Sequence, residues 1–368
     1  MRFCVIGAGN GGRAFAAYLS SKGHYVNLYN RSYSRIYDIK KKGGIKVKGK
    51  LKGFFPIDLI TQNLNLAVKD ADIILIVTPA SAHKYIAKNI AHLLTNDQII
   101  LLNPGRTFGA VEVRSIIEKE RRNLPIFIAE TQTLLFTSRQ LKKNKVQILT
   151  IKDSVDFSAF PEKDTFFISD TLRDVFPQMN PIDNYLQVTL NNIGMLLHPT
   201  LSLLNASAMD YGREFKFYAQ GASSHTCEIL ETLQIEFRKI FEKLNLKQIN
   251  FCEWVEKSYG FKANSIYKAI QKIKAYKNIV APKELITRYF TEDVPTGLVP
   301  MASLGEFLEI STPIIDSIVN LSSILCGIEF KKEGRNIMNL NLANYITKQM
   351  KGEDTFETRK RSKAQIST

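Results

Sequence analysis

Apolar positions in the first part of the chain fall into strand-length runs separated by helical stretches. Arg2–Ile6, Tyr25–Tyr29, and residues 71–77 (ADIILIV), 98–102 and 125–129 are such runs. A continuous apolar run of this length is the signature of a strand buried on both faces of a parallel sheet. Between the runs the spacing turns helical: Ala14, Ala17, Tyr18 and Leu19 share one face, and residues 33–39, 64–68, 82–94 and 111–119 read as helices. Residues 45–47 and 51–57 alternate apolar side chains with Lys and Gly, as half-exposed hairpin strands do. Residues 146–151 and 166–168 read as further strands at the sheet edge. Strand and helix alternate throughout, which predicts an α/β, doubly wound sheet with right-handed crossovers.

The texture changes near Pro177 to Pro181. Beyond it the pattern is helical with almost no strand signal: residues 185–197, a long amphipathic stretch at 223–244, and a helix that starts at Ser311-Thr312-Pro313 and stops at Gly327. The expected organisation is an α/β domain over 1–180, an all-helical domain over 181–350, and a basic tail over 351–368 whose charged, aperiodic sequence predicts disorder.

The opening unit carries candidate chemistry. Gly7-Ala8-Gly9-Asn10-Gly11-Gly12 follows the first strand and leads into a helix, the context that G-x-G-x-x-G needs in order to bind a dinucleotide. Gly7 permits the tight turn, Gly9 lets backbone approach a pyrophosphate, and Gly12 lets helix and strand pack closely. The free N–H groups at the helix start, with Asn10 and Gly11, would face the phosphates. The first domain is therefore read as a Rossmann domain. After the second strand, where NAD enzymes usually carry an acidic residue for the ribose, this chain has Asn30-Arg31-Ser32. A guanidinium beside a hydroxyl suits a 2′-phosphate, so NADP(H) is favoured over NAD(H). The alternative is Arg31 as a loop cation stacked on adenine, with NAD tolerated. Thr78-Pro79 and Glu130-Thr131-Gln132 end later strands and should face the same crevice.

Composition narrows the classes. The chain has 368 residues and a formal charge of +15. The basic residues are spread through the chain and not interleaved with aromatics, so no nucleic-acid partner is expected. The surplus suits anionic substrates and cofactors. No apolar run reaches membrane-spanning length, and no secretory leader is expected because the first residues already read as a core strand. Cys4, Cys227, Cys252 and Cys326 show no CxxC or His spacing, which argues against a metal site and a disulfide framework and suits a reducing cytoplasm.

Five histidines are present. His24 reads as structural, His92 as superficial and His225 as a helix-start residue, while His83 lies near the predicted crevice. His198 sits in an apolar helical stretch interrupted by Pro199, where an imidazole needs a partner. Asn191, seven residues earlier, falls on the same helical face. On spacing alone, a satisfied core histidine and a catalyst both remain open. Arg288, Glu292 and Asp293 form a charged cluster beside a turn in apolar surroundings, the setting of a site or of a loop salt bridge.

At this point the chain resembles the NAD/NADP octopine and nopaline dehydrogenases, or opine dehydrogenases. The resemblance runs to about Leu342 and rests on IGAGNGG, VTPASAH, LNPG, AETQT, NN-x5-HP with LLNA, RYFTEDVPTGL and GRNIMNL. It implies a Rossmann domain followed by an all-helical domain, with His198 and Asp293 as a catalytic pair and Arg288 holding a keto acid carboxylate. The implied reaction condenses an α-keto acid such as pyruvate with the amino group of an amino acid, then reduces the imine with NAD(P)H. Asn191, Asn192, Asn205 and Gln132 are candidates for the substrate wall. The identities of the amino acid and keto acid are not legible, and a homodimer is compatible with the sequence without being required by it. Two other readings stay open: a dehydrogenase of a 2-hydroxy acid or related alcohol, and a non-catalytic NADP(H)-binding protein.

Overall fold

The computed structural model describes residues 1–353. Among them twelve strands form two sheets. In chain order they are β1 (Arg2–Ile6), β2 (Tyr25–Tyr29), β3 (Gly44–Gly49), β4 (Gly53–Pro56), β5 (Leu59–Thr61) and β6 (Ile73–Ile76); then β7 (Ile99–Leu102), β8 (Phe127–Thr131), β9 (Phe136–Lys142), β10 (Lys145–Ile151), β11 (Val155–Ala159) and β12 (Met179–Pro181). The main sheet runs β12-β11-β8-β7-β6-β1-β2-β5. The six strands from β8 to β5 are parallel, and β11 joins β8 antiparallel. The chain winds outward from β1 in both directions, so β1 and β6 flank the switch point where such sheets open a crevice at their carboxyl ends.

Period-two alternation divides the sheet's side chains between two cores. Phe3, Val5, Leu75 and Leu101 pack with Phe15 and Leu19 of the Asn10–Ser21 helix and with Ile45, Val47, Val146 and Ile148 of the second sheet. Cys4, Ile6, Ile74, Ile76 and Ile100 belong to a core continuous with the helical domain. The predicted hairpin is present as β3–β4, with Ile45 opposite Phe55 and Lys46 opposite Phe54.

Three expectations are corrected. Residues 146–151 are extended, as β10, but they belong to a separate four-stranded sheet, β4-β3-β10-β9, that packs over the first helix. Residues 166–168 lie in the Thr165–Leu172 helix. There Phe166 and Phe167 are exposed and Ile168 is buried, a one-sided pattern that a three-residue window cannot distinguish from a strand. At that end of the main sheet the added strands are β11, paired to β8, and β12 at the edge. Residues 185–197 are not one helix: Tyr185–Thr189 ends, the chain turns through 190–193, and Gly194–Leu204 begins, with Pro199 inside it. Asn191 therefore does not share a helical face with His198. The long helix is Ser224–Lys243, started by the Ser223 side chain, and Pro313–Cys326 ends on left-handed Gly327. The tail expectation falls, from residue 354 on, outside the described residues.

The two halves are pinned together by a buried arginine near the chain's end. Arg335 is 2% exposed. It donates to Gly105 O and Thr107 O at 3.0 and 2.8 Å, to Glu112 at 2.9 Å, and to His83 Nδ1 at 3.1 Å. Beside it Glu130 accepts from Ala110 N–H at 2.6 Å and from the Tyr185 hydroxyl at 3.0 Å. Burial raises the Glu130 carboxyl to about 7, against the opposing pull of its hydrogen bonds and Arg335. Burial likewise holds His83 well below the usual histidine range, with Arg335 and Arg106 adding to the effect.

Candidate active site

A cavity of about 490 Å³ lies between the carboxyl ends of the parallel strands and the helical domain. Its floor is the glycine turn. Gly7 has φ +113°, and a Cβ there would lie 2.5 Å from Val77 O. A Cβ at Gly12 would lie 1.6 Å from Gly7 O, so helix and strand meet only because that atom is missing. At Gly9, by contrast, a Cβ would meet no atom within 4 Å: the space above it belongs to the cavity. The helix that starts at Asn10 has no side-chain cap, so its first N–H groups remain available to an anion. Asn10 spends its side-chain oxygen on the N–H of Gln140, tying β9 to the turn at 2.9 Å. Asn30 accepts from Ala8 N–H at 2.9 Å and donates to Ser32 O, which fixes the turn against the end of β2. Arg31 is exposed, its guanidinium 5.5 Å from the Tyr85 ring centroid, and Ser32 bonds Ser34. Thr78 and Pro79 line the cavity. Thr78 Oγ1, Asn103 Nδ2 and Asn192 Nδ2, all in lining residues, are buried without a protein partner.

Across the cavity, His198 lies in the Gly194–Leu204 helix, and Asp293 precedes the π-helical turn Val294–Leu298. Their side chains meet: His198 Nδ1 is 2.8 Å from Asp293 Oδ2. The imidazole also lies 3.0 Å through Nε2 from the Tyr218 hydroxyl and stacks on Tyr289 at 4.4 Å. Asp293 is 2% exposed. Burial alone would raise its carboxyl, but Arg106 and His198 outweigh that and hold it below the ordinary aspartate range.

The charged cluster is larger than the sequence suggested. Glu292 accepts from Ala80 N–H at 3.2 Å, from Arg106 Nε at 3.4 Å and from Arg288 Nε at 2.6 Å; an Arg288 terminal nitrogen joins the last pair. Arg106 also reaches Asn192 Oδ1 at 3.1 Å and Asp293 Oδ1 at 3.5 Å. Burial penalises its charge, but Asp293 and Glu292 more than compensate and raise it. Arg106 adopts φ +61°, a region that costs a non-glycine residue of order 1–3 kcal/mol and persists only when its surroundings hold it there. The holding groups are visible: Arg335 bonds the carbonyls on either side, Thr189 donates to Arg106 O, and Thr107 N–H bonds Thr296 O. Gly194 makes room, since a Cβ there would lie 2.6 Å from Arg106 Nη1 and 3.2 Å from Asp293 Oδ1.

The other sequence candidates divide. Gln132 lines the cavity and donates to Asn191 O at 2.9 Å. Asn191 also lines it, but its side chain is committed to Gln187 O, Lys247 O and Ile249 N–H. Asn205 does not join them: its amide bonds Leu201 O and Gly221 O, where it ties off a helix end, so its expected place in the substrate wall is corrected to a structural one. Sequence reasoning missed Arg106, Glu292 as a hub, Tyr218 and Lys152. The LNPG motif stopped one residue short of Arg106, and Lys152 directly follows β10 of the misassigned sheet.

Comparisons with known proteins agree across the chain. The family described as NAD/NADP octopine/nopaline dehydrogenase, alpha-helical domain, matches residues 181–326, and the NAD-dependent glycerol-3-phosphate dehydrogenase N-terminus matches residues 2–110. An opine dehydrogenase of Arthrobacter sp. (strain 1C) is 40% identical over 342 residues, covering 93% of this chain and 95% of that one. Among solved structures, octopine dehydrogenase with NADH and L-arginine superposes with a TM-score of 0.76 at 18% identity, covering 98% of this chain and 100% of that one. NADP+-bound yersinopine dehydrogenase gives 0.75 at 14% identity, covering 96% of this chain and 99% of that one.

Proposed function

The chain belongs to the opine dehydrogenase family and is an NAD(P)-dependent oxidoreductase, and from that premise we propose how its cavity forms an opine. The substrates are an α-keto acid such as pyruvate and the amino group of an amino acid. They condense with loss of water to an imine, whose reduction gives an N-(1-carboxyalkyl)amino acid. The bound nicotinamide supplies the hydride, and the protein supplies position, charge and protons.

The residues that would hold the nucleotide are those of the glycine turn, with Gly7, Gly9, Gly11 and Gly12 shaping the bed, Asn10 at the helix start, and Thr78 and Pro79 on the same cavity wall. The open space above Gly9 and the uncapped helix start support this. NADP(H) is the favoured form. The exposed Arg31 and Ser32, with Asn30 fixing the turn, suit a 2′-phosphate and include no carboxylate to repel it.

His198 is the general acid/base. Asp293 accepts from Nδ1, fixes the tautomer and stabilises the imidazolium, and Nε2, which meets the Tyr218 hydroxyl at 3.0 Å, exchanges a proton with the carbonyl or carbinolamine oxygen when substrate takes that hydroxyl's place. Water leaves once that oxygen is protonated. Glu292 occupies Nε and one terminal nitrogen of Arg288, so the opposite edge of the guanidinium is free to fork onto the keto acid carboxylate. Gln132 and Asn192, the latter with its unpaired Nδ2, complete the substrate wall beside Asn191.

The observation that carries this reading is the 2.8 Å His198–Asp293 pair at the wall of a cavity whose floor is a nucleotide-type glycine turn. Its test is His198→Ala. Turnover should fall about 10²–10⁴-fold, the usual worth of a positioned proton donor, while NADPH affinity measured by nucleotide fluorescence stays unchanged. An unaltered turnover would remove the assignment.

A further inference from the structure

An opine carries two carboxylates, one from the keto acid and one from the amino donor, and both enter a single cavity. Two like charges brought to adjacent atoms repel, and each needs a cation of its own to be oriented. The cations that line the cavity are Arg106, Arg288 and Lys152, with His198 beside them. Arg106 is paired to Glu292 and Asp293, Arg288 to Glu292, and His198 to Asp293. These arginines and carboxylates balance, and on the reading above Arg288 takes the keto acid with its free edge. That leaves one carboxylate unmatched.

Lys152 is left unmatched as well. It follows β10, where its backbone N–H bonds Leu135 O at 3.0 Å and its amine donates to Thr133 Oγ1 at 2.9 Å. No carboxylate forms an ion pair with it among the described residues. Burial pushes the amine down to about 8, with no neighbouring charge contributing. A half-buried ammonium without a counter-ion costs stability unless something else repays it. Its neighbour Thr133 follows Gln132, which bonds Asn191 at the domain junction. The second sheet thus delivers a cation to the cavity wall between the glycine turn and the helical domain.

We propose that Lys152 anchors the α-carboxylate of the amino donor, with Thr133 steering its amine; this rests on the opine-forming reading of the cavity. The two carboxylates then sit on separate cations, Arg288 and Lys152, and the donor's amino group is presented to the keto carbon between them.

The test uses the full chain with NADPH and pyruvate, and compares an amino acid with the amine lacking its carboxylate, such as phenylalanine with phenethylamine. Wild type must first yield an opine by mass spectrometry; if it yields none, the proposed reaction itself fails and Lys152 is not at issue. Given product, Lys152→Met should raise the amino acid KM about ten- to a hundredfold, the range for one lost charge-assisted hydrogen bond. The amine KM, the pyruvate KM and NADPH affinity should hold, and Lys152→Arg should recover part of the loss. Lys152→Met should melt at or above the wild-type temperature, since an unpaired, half-buried charge is removed; Lys152→Gln serves as a second variant. An unchanged amino acid KM overturns the proposal. So does a loss of NADPH affinity with the donor KM intact, which would put Lys152 on the cofactor's phosphates.

Discussion

His198 was legible as a question and not as an answer. Its apolar context required a partner, and the partner lies 95 residues away at Asp293. No periodicity links segments so distant; only the resemblance did. Arg106 was not legible at all, because a basic residue after Asn-Pro-Gly reads as solvated loop. In the fold it is largely enclosed against Asn192, Glu292 and Asp293, and Gly194 is the residue that admits it. Gly194→Ala should therefore push the guanidinium off Asp293 without disturbing the core. Turnover should fall several-fold while the thermal midpoint stays within about 2 °C, the size of a sub-kilocalorie change; equal activity would mean that Arg106 is not needed where it stands. At the other end of the cavity, Arg31→Ala should weaken NADPH binding about tenfold, as one lost charged contact does. NADH binding should change little, and equal losses for both nucleotides would contradict the 2′-phosphate assignment.

At the scale of elements, the strands most easily read were those buried on both faces. β1, β6 and β7 are dominated by apolar side chains, and these strands, with β2 and β8, were expected within about two residues of where they lie. β9, with the sequence FTSRQLK, is exposed over most of its length and reads as polar loop. Its strand character comes from pairing with β10 over the first helix, which is a tertiary fact. The network joining β8, the Tyr185–Thr189 helix and Arg335 is similar: Glu130 was placed in the crevice, but the sequence did not show that it is buried. Its raised carboxyl has a consequence for stability. Between the unfolded value near 4.5 and the folded value of about 7, the folded state binds a proton that the unfolded chain releases, so this stability contribution is present below 4.5 and lost as pH rises to 7. Glu130→Gln removes that dependence. Its thermal midpoint relative to wild type should rise between pH 5 and pH 8, and a constant difference would show that Glu130 is ionised when folded.

The whole molecule joins two requirements in one cleft. The doubly wound sheet brings a glycine turn and strand ends to its carboxyl edge, and the helical domain brings His198, Asp293 and Arg288 across from it. Arg335, from beyond both elements, locks the loop that carries Arg106. No helix among the described residues is long and apolar enough to cross a membrane. The fold class and the succession of a Rossmann domain and a helical one were legible, because burial patterns are local. Which side chains share the cleft was not, because that depends on how the two halves meet. The central claim concerns the chemistry in that cleft, and NADPH oxidation followed by mass spectrometry tests it most directly. Pyruvate with each amino acid should consume NADPH only when both substrates are present, giving a product whose mass is their sum less one oxygen atom. Consumption with pyruvate alone, yielding the 2-hydroxy acid, would contradict it.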